Sequence, residues 1–220
     1  MKKYSIYYLF FIFALFVYGC KDDVSNLVNE DGLTKEIVNL VPDSILTEMK
    51  SMGMPIYGGK NPPNIENSYI ASPFVLKASN RESDEIGHTY SDYYVKFHNQ
   101  DNKNLKIKMD YQNGREKGTG MGSYIVGEGS KFSVFIEVNA TENEDSKAKL
   151  VHVVSGEWTS DGIKNLYFAN FMLDNYGNTS GYWIENGDGR VIYDSDSFSP
   201  ITDLFKSALI KDVGTGISSK

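Results

Sequence analysis

Between residues 67 and 195 apolar and polar side chains repeatedly exchange places on a two-residue period. Leu105, Ile107, Met109 and Tyr111 alternate with Lys106, Lys108 and Asp110, which predicts a strand with one apolar and one wet face. Phe132, Val134, Ile136 and Val138 alternate with Ser133 and Glu137, and Phe135 interrupts the polar phase. The runs "KLVHVVSGEW" (149–158) and "IKNLYFANFMLD" (163–174) are apolar on both phases, so each predicts a strand covered on both faces. "GYWIENGDGRVIYDS" (181–195) reads as a hairpin, because Asn186-Gly187 and Asp188-Gly189 tolerate positive φ between two β-rich arms. Strands are expected near 68–77, 89–99, 104–112, 122–128, 131–140, 147–158, 162–174, 180–185 and 190–194. Short links between successive strands predict an up-and-down antiparallel meander. Eight or nine such strands lose their exposed edges most simply by closing into a barrel.

Helical periodicity appears only at the flanks. Pro42 suits a first turn, Asp43 and Ser44 can cap, and Ile45, Leu46, Met49 and Met52 form an apolar stripe ended by Gly53. "MPIYGGKNPPNIENS" (54–68) is an irregular crossing segment broken by Gly58-Gly59 and Pro62-Pro63. At the other end Ser199 and Pro200 read as the start of an amphipathic helix carrying Ile201, Leu204, Phe205, Ala208 and Leu209 on one face. That stripe is expected to pack outside the sheet, against the two-sided strand at 162–174.

The N-terminus changes the picture of where such a domain resides. Lys2 and Lys3 precede an uncharged run from Ile6 to Tyr18, too short to span a bilayer comfortably, and then Gly19-Cys20. Residues 1–19 therefore read as a secretory signal, 20–35 as a flexible polar tether and 36–220 as a single β domain with flanking helices. Cys20 is the one cysteine among 220 residues, so the chain has no intramolecular disulfide and no thiolate metal site. Removal of residues 1–19 takes two lysines and no acid, and the formal charge moves from −7 to −9. An acidic surface disfavours nucleic acid and anionic membrane surfaces as partners.

Val17-Tyr18-Gly19-Cys20 resembles the bacterial lipobox, which implies a lipid on the Cys20 thiol and attachment to a membrane through it. Lys21-Asp22-Asp23 resembles the surface-export signal of Bacteroidetes-type lipoproteins, implying an outer-membrane protein facing the exterior. Asp43-Ser44-Ile45 resembles the O-glycosylation acceptor of the same bacteria, which makes Ser44 a candidate glycan site in competition with its capping role. "VPDSILTEMKSMGMPI", "NPPNIENSYIASP" and "WIENGDGRVIYDSDSF" together resemble a family of uncharacterised lipoproteins of gut Bacteroidetes. That resemblance implies a lipocalin-like or calycin-like barrel and a cell-surface location, and it implies no activity.

Candidate chemistry is sparse. His88, His98 and His152 have no second histidine or cysteine at ligand spacing, and His152 shares an inward phase with Leu150, Val154 and Trp158. Glu185, Asp188, Asp194 and Asp196 have calcium-loop composition without its order. Ser155 shows no accompanying base, and Glu157 and Glu185, near Trp158 and Trp183, read as strand-end acids. "GREKGTGMGS" (114–123) lacks the lysine-serine end of a phosphate loop and reads as a hairpin loop. We therefore expect neither cofactor nor catalysis. Trp158, Tyr167, Trp183 and Tyr193 are the candidate ligand-binding residues, since such rings suit sugars or amphipathic molecules in a barrel of this size. Two readings remain open: a surface lipoprotein that binds a small lipid-like or glycan ligand, and an accessory envelope lipoprotein that works through protein contacts.

Overall fold

The computed structural model describes residues 27–114, 116–143, 146–179 and 181–203. Cys20, the expected signal and residues 204–220, with most of the expected C-terminal helix, lie outside the described residues. Helices α1 (Lys35–Leu40) and α2 (Asp43–Ser51) come first, then β1 (Lys60–Asn61), β2 (Asn67–Ala71), β3 (Phe74–Ser79) and β4 (Thr89–Tyr90). The long strands come next: β5 (Tyr93–Asp101), β6 (Lys106–Asn113), β7 (Glu116–Glu128), β8 (Lys131–Asn143), β9 (Ser146–Thr159) and β10 (Gly162–Asp174). β11 (Gly189–Asp194) and β12 (Phe198–Pro200) complete the described chain.

The strands form one sheet in the order β2-β5-β6-β7-β8-β9-β10-β11-β3-β4, curled into an open half-barrel rather than the closed barrel expected from the meander. The reason lies at β10, where the ladder forks. Tyr167–Phe171 pair with β11, while Gly162–Lys164 pair with β12, and the register shifts between Lys164 and Tyr167. β11 leads away to β3 and β4. Toward β2 the gap is crossed by β12 and the two residues after it, through a single bridge Tyr69–Ile201 and the Thr202 N–H donated to Ser68 O at 2.9 Å. Ser199 and Pro200, expected to open a helix, are thus strand residues here.

Two-sided burial dictates the rest. On the inner face β8 presents Phe132, Val134, Ile136 and Val138, β9 presents Leu150 and Val154, and β10 presents Phe168 and Met172, all in one apolar cluster. The opposite phases, Phe135, Val151, Val153, Ala169 and Phe171, join Leu33, Ile37, Val41, Ile45 and Met49 in a second cluster. The cover over the outer face is therefore the N-terminal segment. Phe135, which breaks the polar phase of β8, is fully buried beneath it. Ser133 and Ser155 share a hydrogen bond at 2.8 Å under the same cover, and the Tyr57 N–H donates to Ser133 Oγ at 2.8 Å. Ser155 is thus a structural hydroxyl.

The cover begins earlier than a tether ending at 35 would allow. Leu33 is 1% exposed, and Thr34 caps α1 by accepting from the Ile37 N–H. α1 has six residues, too few to show a helical period. α2 starts at Pro42 without a side-chain cap, so Ser44 is exposed and free of the capping role. Gly58-Gly59 passes directly over Asp31-Gly32 and Gly127, where any side chain would collide with backbone.

Two further expectations fail for local reasons. Residues 114–123 are not a long loop, because β7 is strand from Glu116 onward. The arm at 180–185 is not a strand. Side-chain amides take the backbone partners that a neighbouring strand would supply: Asn178 receives the Trp183 N–H at 2.9 Å and donates to Trp183 O at 2.7 Å, and Asn175 donates to Ile184 O at 3.0 Å. The turn at Asn186-Gly187 does form, with Gly187 at φ 89°.

Replacing Phe135 by Ala leaves a cavity between sheet and cover, with a stability loss of about 3–5 kcal/mol. Urea denaturation checks this, and hydrogen exchange is expected to rise first in α1 and α2.

Candidate functional site: a polar cluster inside the half-barrel

The inner face holds a group of side chains that a purely apolar interior would not contain. Four rings make a closed circuit: Tyr93 to Tyr111 at 6.3 Å, Tyr111 to His152 at 5.3 Å, His152 to Phe168 at 5.0 Å and Phe168 to Tyr93 at 5.0 Å. Phe74 stacks on Tyr93 at 5.0 Å. The curl of the sheet closes the circuit, because β5 and β6 face β9 and β10 across the interior without being paired to them. Tyr93, Val95 and Phe97 share the inward phase of β5, and Met109 and Tyr111 that of β6. On β9 and β10, His152 stands directly opposite Asn170, flanked by Phe168 and Met172.

Polar atoms here lack partners. Tyr93 Oη, His152 Nδ1, Asn170 Oδ1 and the Trp183 indole nitrogen are buried without a hydrogen bond in the protein. Tyr93 and His152 are each 1% exposed. An unpaired buried polar atom costs on the order of 1–3 kcal/mol, so several in one cluster form a standing demand for a partner. Trp183 reaches the inner cluster from the loop after β10, with Tyr182 edge-on to it at 4.8 Å.

Electrostatics keep the interior uncharged. Burial lowers the His152 pKa to about 3, so the imidazole is neutral. Its Nε2 lies 3.9 Å from Glu116 Oε1, too far for a hydrogen bond, and a neutral ring makes no ion pair with it. Glu116 accepts from the Tyr111 hydroxyl at 3.0 Å. Burial by the surrounding protein raises the Glu116 carboxyl from its usual range, against the Tyr111 hydrogen bond, which lowers it, while 57% of the side chain stays exposed. Burial pushes the Tyr93 and Tyr111 hydroxyls well above the normal phenol range, so both are donors at any physiological pH.

The four residues expected to line one ligand surface are divided by the sheet. Trp158 and Trp183 pack on the inner cluster. Tyr167 and Tyr193 pair across β10 and β11 at 5.9 Å on the outer side, with the Lys77 ammonium 5.4 Å from each ring. Tyr93 and Tyr111 belong to the strand aromatics that the sequence offers for a ligand surface, whereas Glu116 and Asn170 join the site without having been candidates. A lone Asn in the inward phase between Phe168 and Met172 was the legible signal. Glu116 was hidden by a glycine-rich stretch that folds as strand.

Other polar groups have ordinary partners. His98 Nε2 lies 3.3 Å from Asp110 Oδ1, and Lys131 is 3.9 Å from Glu157. Arg190 grips Asp84 through two hydrogen bonds of 2.6 and 2.9 Å. Among the described residues no three His, Cys, Asp or Glu side chains gather as metal ligands, and no helix is long and apolar enough to cross a membrane. An open groove of about 430 Å³ on the outer face runs between Lys106, Lys108, Gly122 and Tyr124. Set beside protein-family models, curated proteins and solved structures, the chain matches none of them.

His152 gives a pH test. Its folded pKa lies below the ordinary 6.5, so acid charges the unfolded chain first. Its contribution to stability is lost as pH falls from 6.5 toward 3, at a slope nearing about 1.4 kcal/mol per pH unit. In NMR the His152 ring shifts are expected to stay constant from about pH 8 to about pH 5.

Proposed function

We propose that this protein is a non-catalytic envelope lipoprotein, anchored by lipid on Cys20 at the outer face of an outer membrane, that holds one small amphipathic molecule inside its half-barrel. The observation that carries this reading is the set of unpartnered atoms on Tyr93, His152, Asn170 and Trp183 facing an otherwise apolar, aromatic interior. Tyr93 and Trp183 donate, Asn170 Oδ1 accepts, and neutral His152 does either. That complement suits an uncharged polar head, such as a hydroxyl or amide of a lipid-like or glycan ligand, because a charge would pay full desolvation there. On this reading the half-barrel is used in a lipocalin-like way, as an open cup. One feature favours the second reading, an accessory protein working through protein contacts. Ring contacts of 5.0 Å fill the middle of the cup with the chain's own side chains.

Native mass spectrometry of protein gently purified from its host separates the two. A discrete extra mass, absent from the denatured spectrum after allowing for lipid and any glycan at Ser44, is expected. Asn170→Leu removes an unpaired acceptor, so it is expected to abolish the extra mass while leaving stability equal or higher. No extra mass, together with one partner recovered reproducibly by crosslinking, would favour the accessory reading.

A further inference from the structure

The edge of the half-barrel between β10 and β2 is held at one point by a buried acid. Asp194 ends β11 and is 1% exposed, and Ser199, fully buried in β12, donates its hydroxyl to Asp194 Oδ2 at 2.6 Å. Asp194 Oδ1 is buried without a donor. The chain between them makes a tight turn. The Ser197 N–H donates to Asp194 O at 3.1 Å, Ser197 adopts φ 68°, and the Phe198 N–H donates to Asp196 Oδ1 at 2.9 Å. This turn aims β12 back along β10, and Ile201 and Thr202 beyond it reach β2. β12 is seated beside this turn by its ladder to β10 at Gly162–Lys164 and by the Ile201 N–H donated to Asp161 O at 3.2 Å, and its contacts toward β2 follow from that seat.

We propose that Asp194 is a proton-operated latch for that seam: protonated, it holds β12 across the gap between β10 and β2, and ionised, it lets β12 open. The groups around it set the sign. Phe74 faces it from β3 and Ser199 from β12, and Asp196 in the turn is the charged group acting on it. When both acids are ionised, a buried oxygen carries charge with no donor beside a second carboxylate, and repulsion strains the turn that Phe198 and Ser199 hold. One proton taken from solvent by Asp194 removes both costs. Burial first, with Asp196 adding to it, raises the Asp194 pKa to about 6 against an ordinary 3.8. The folded seam thus binds its proton more tightly than an open one. The closing effect is complete below 3.8 and is lost as pH rises through about 6. The latch governs access to the interior, whatever the interior holds.

Global unfolding is the wrong readout, since His152 loses stability over the pH range in which Asp194 gains it. Amide hydrogen exchange on the full chain, corrected for intrinsic rates, reads β12 and its seam locally, since the Ile201 N–H is donated to Asp161 O and the Thr202 N–H to Ser68 O. At Ile201 and Thr202, protection is expected to be about tenfold greater near pH 5 than near pH 7.5. Asp194→Asn, which mimics the protonated acid, is expected to keep protection high and level across that range. Should that variant misfold, Asp196→Asn at the exposed neighbour decides, because relief of repulsion moves the wild-type midpoint to lower pH. Equal protection at both pH values in the wild type, an undiminished pH dependence in Asp194→Asn, or an unmoved midpoint in Asp196→Asn would each overturn the latch.

Discussion

Burial on both faces of β8, β9 and β10 is the constraint on which the rest of the structure depends. Three neighbouring strands carry apolar side chains on alternate and on intervening positions, so neither face tolerates water. One face is satisfied by curling, which brings β2, β5 and β6 over the inner residues. The other is satisfied by α1, α2 and the segment after them. The glycines at 58 and 59 and the Ser133–Ser155 pair belong to this second solution, since they let the covering backbone lie close to the sheet and tie it there. Where the two solutions meet, at β10, the ladder has to serve both arms of the chain, and it forks instead of closing.

The interior combines this apolar drive with a few polar groups that it does not satisfy. Replacing an unpaired buried atom by hydrocarbon is usually neutral or favourable. A fold that keeps Tyr93, His152, Asn170 and Trp183 in one interior is thus destabilised by them unless something else meets them. Charge is confined to the edges. Glu116 sits at the rim by Tyr111, and Asp194 at the seam by Ser199. The two buried titrating groups pull stability in opposite directions as pH falls, with neutral His152 losing and Asp194 gaining. Such opposition evens the whole molecule's response to acid while leaving local responses intact.

Much of the sheet could be read from alternation alone, because period two is a strong signal over strands as long as β6, β8 and β9. The double-phase runs at 149–158 and 163–174 demanded two covers; the C-terminal stripe was expected to supply the outer one, and among the described residues the N-terminal segment does. α1 is shorter than two helical turns and leaves no period. The arm containing Trp183 has strand composition, and only the three-dimensional reach of the Asn175 and Asn178 amides turns it into a loop. Closure failed as an inference because strand count says nothing about one strand being shared by two neighbours. At the site, the inward direction of His152 was legible from its phase. Its companions were not, since Glu116 and Tyr111, far from it in the chain and on strands not paired with β9, meet it only across the inside of the curled sheet. The pairing of Tyr167 with Tyr193 on the outer side shows why a list of aromatic residues does not define a surface.

Whether the unpaired interior groups meet a guest molecule can be read at one ring. The most direct measurement is the 15N spectrum of the His152 imidazole in protein purified from its host, compared with the same chain unfolded, stripped and refolded. With a guest, Nδ1 is predicted to move between the two samples, because its environment changes from partnered to unpartnered while the ring stays neutral. Identical His152 signals in both, with the fold intact, would contradict a guest-binding interior.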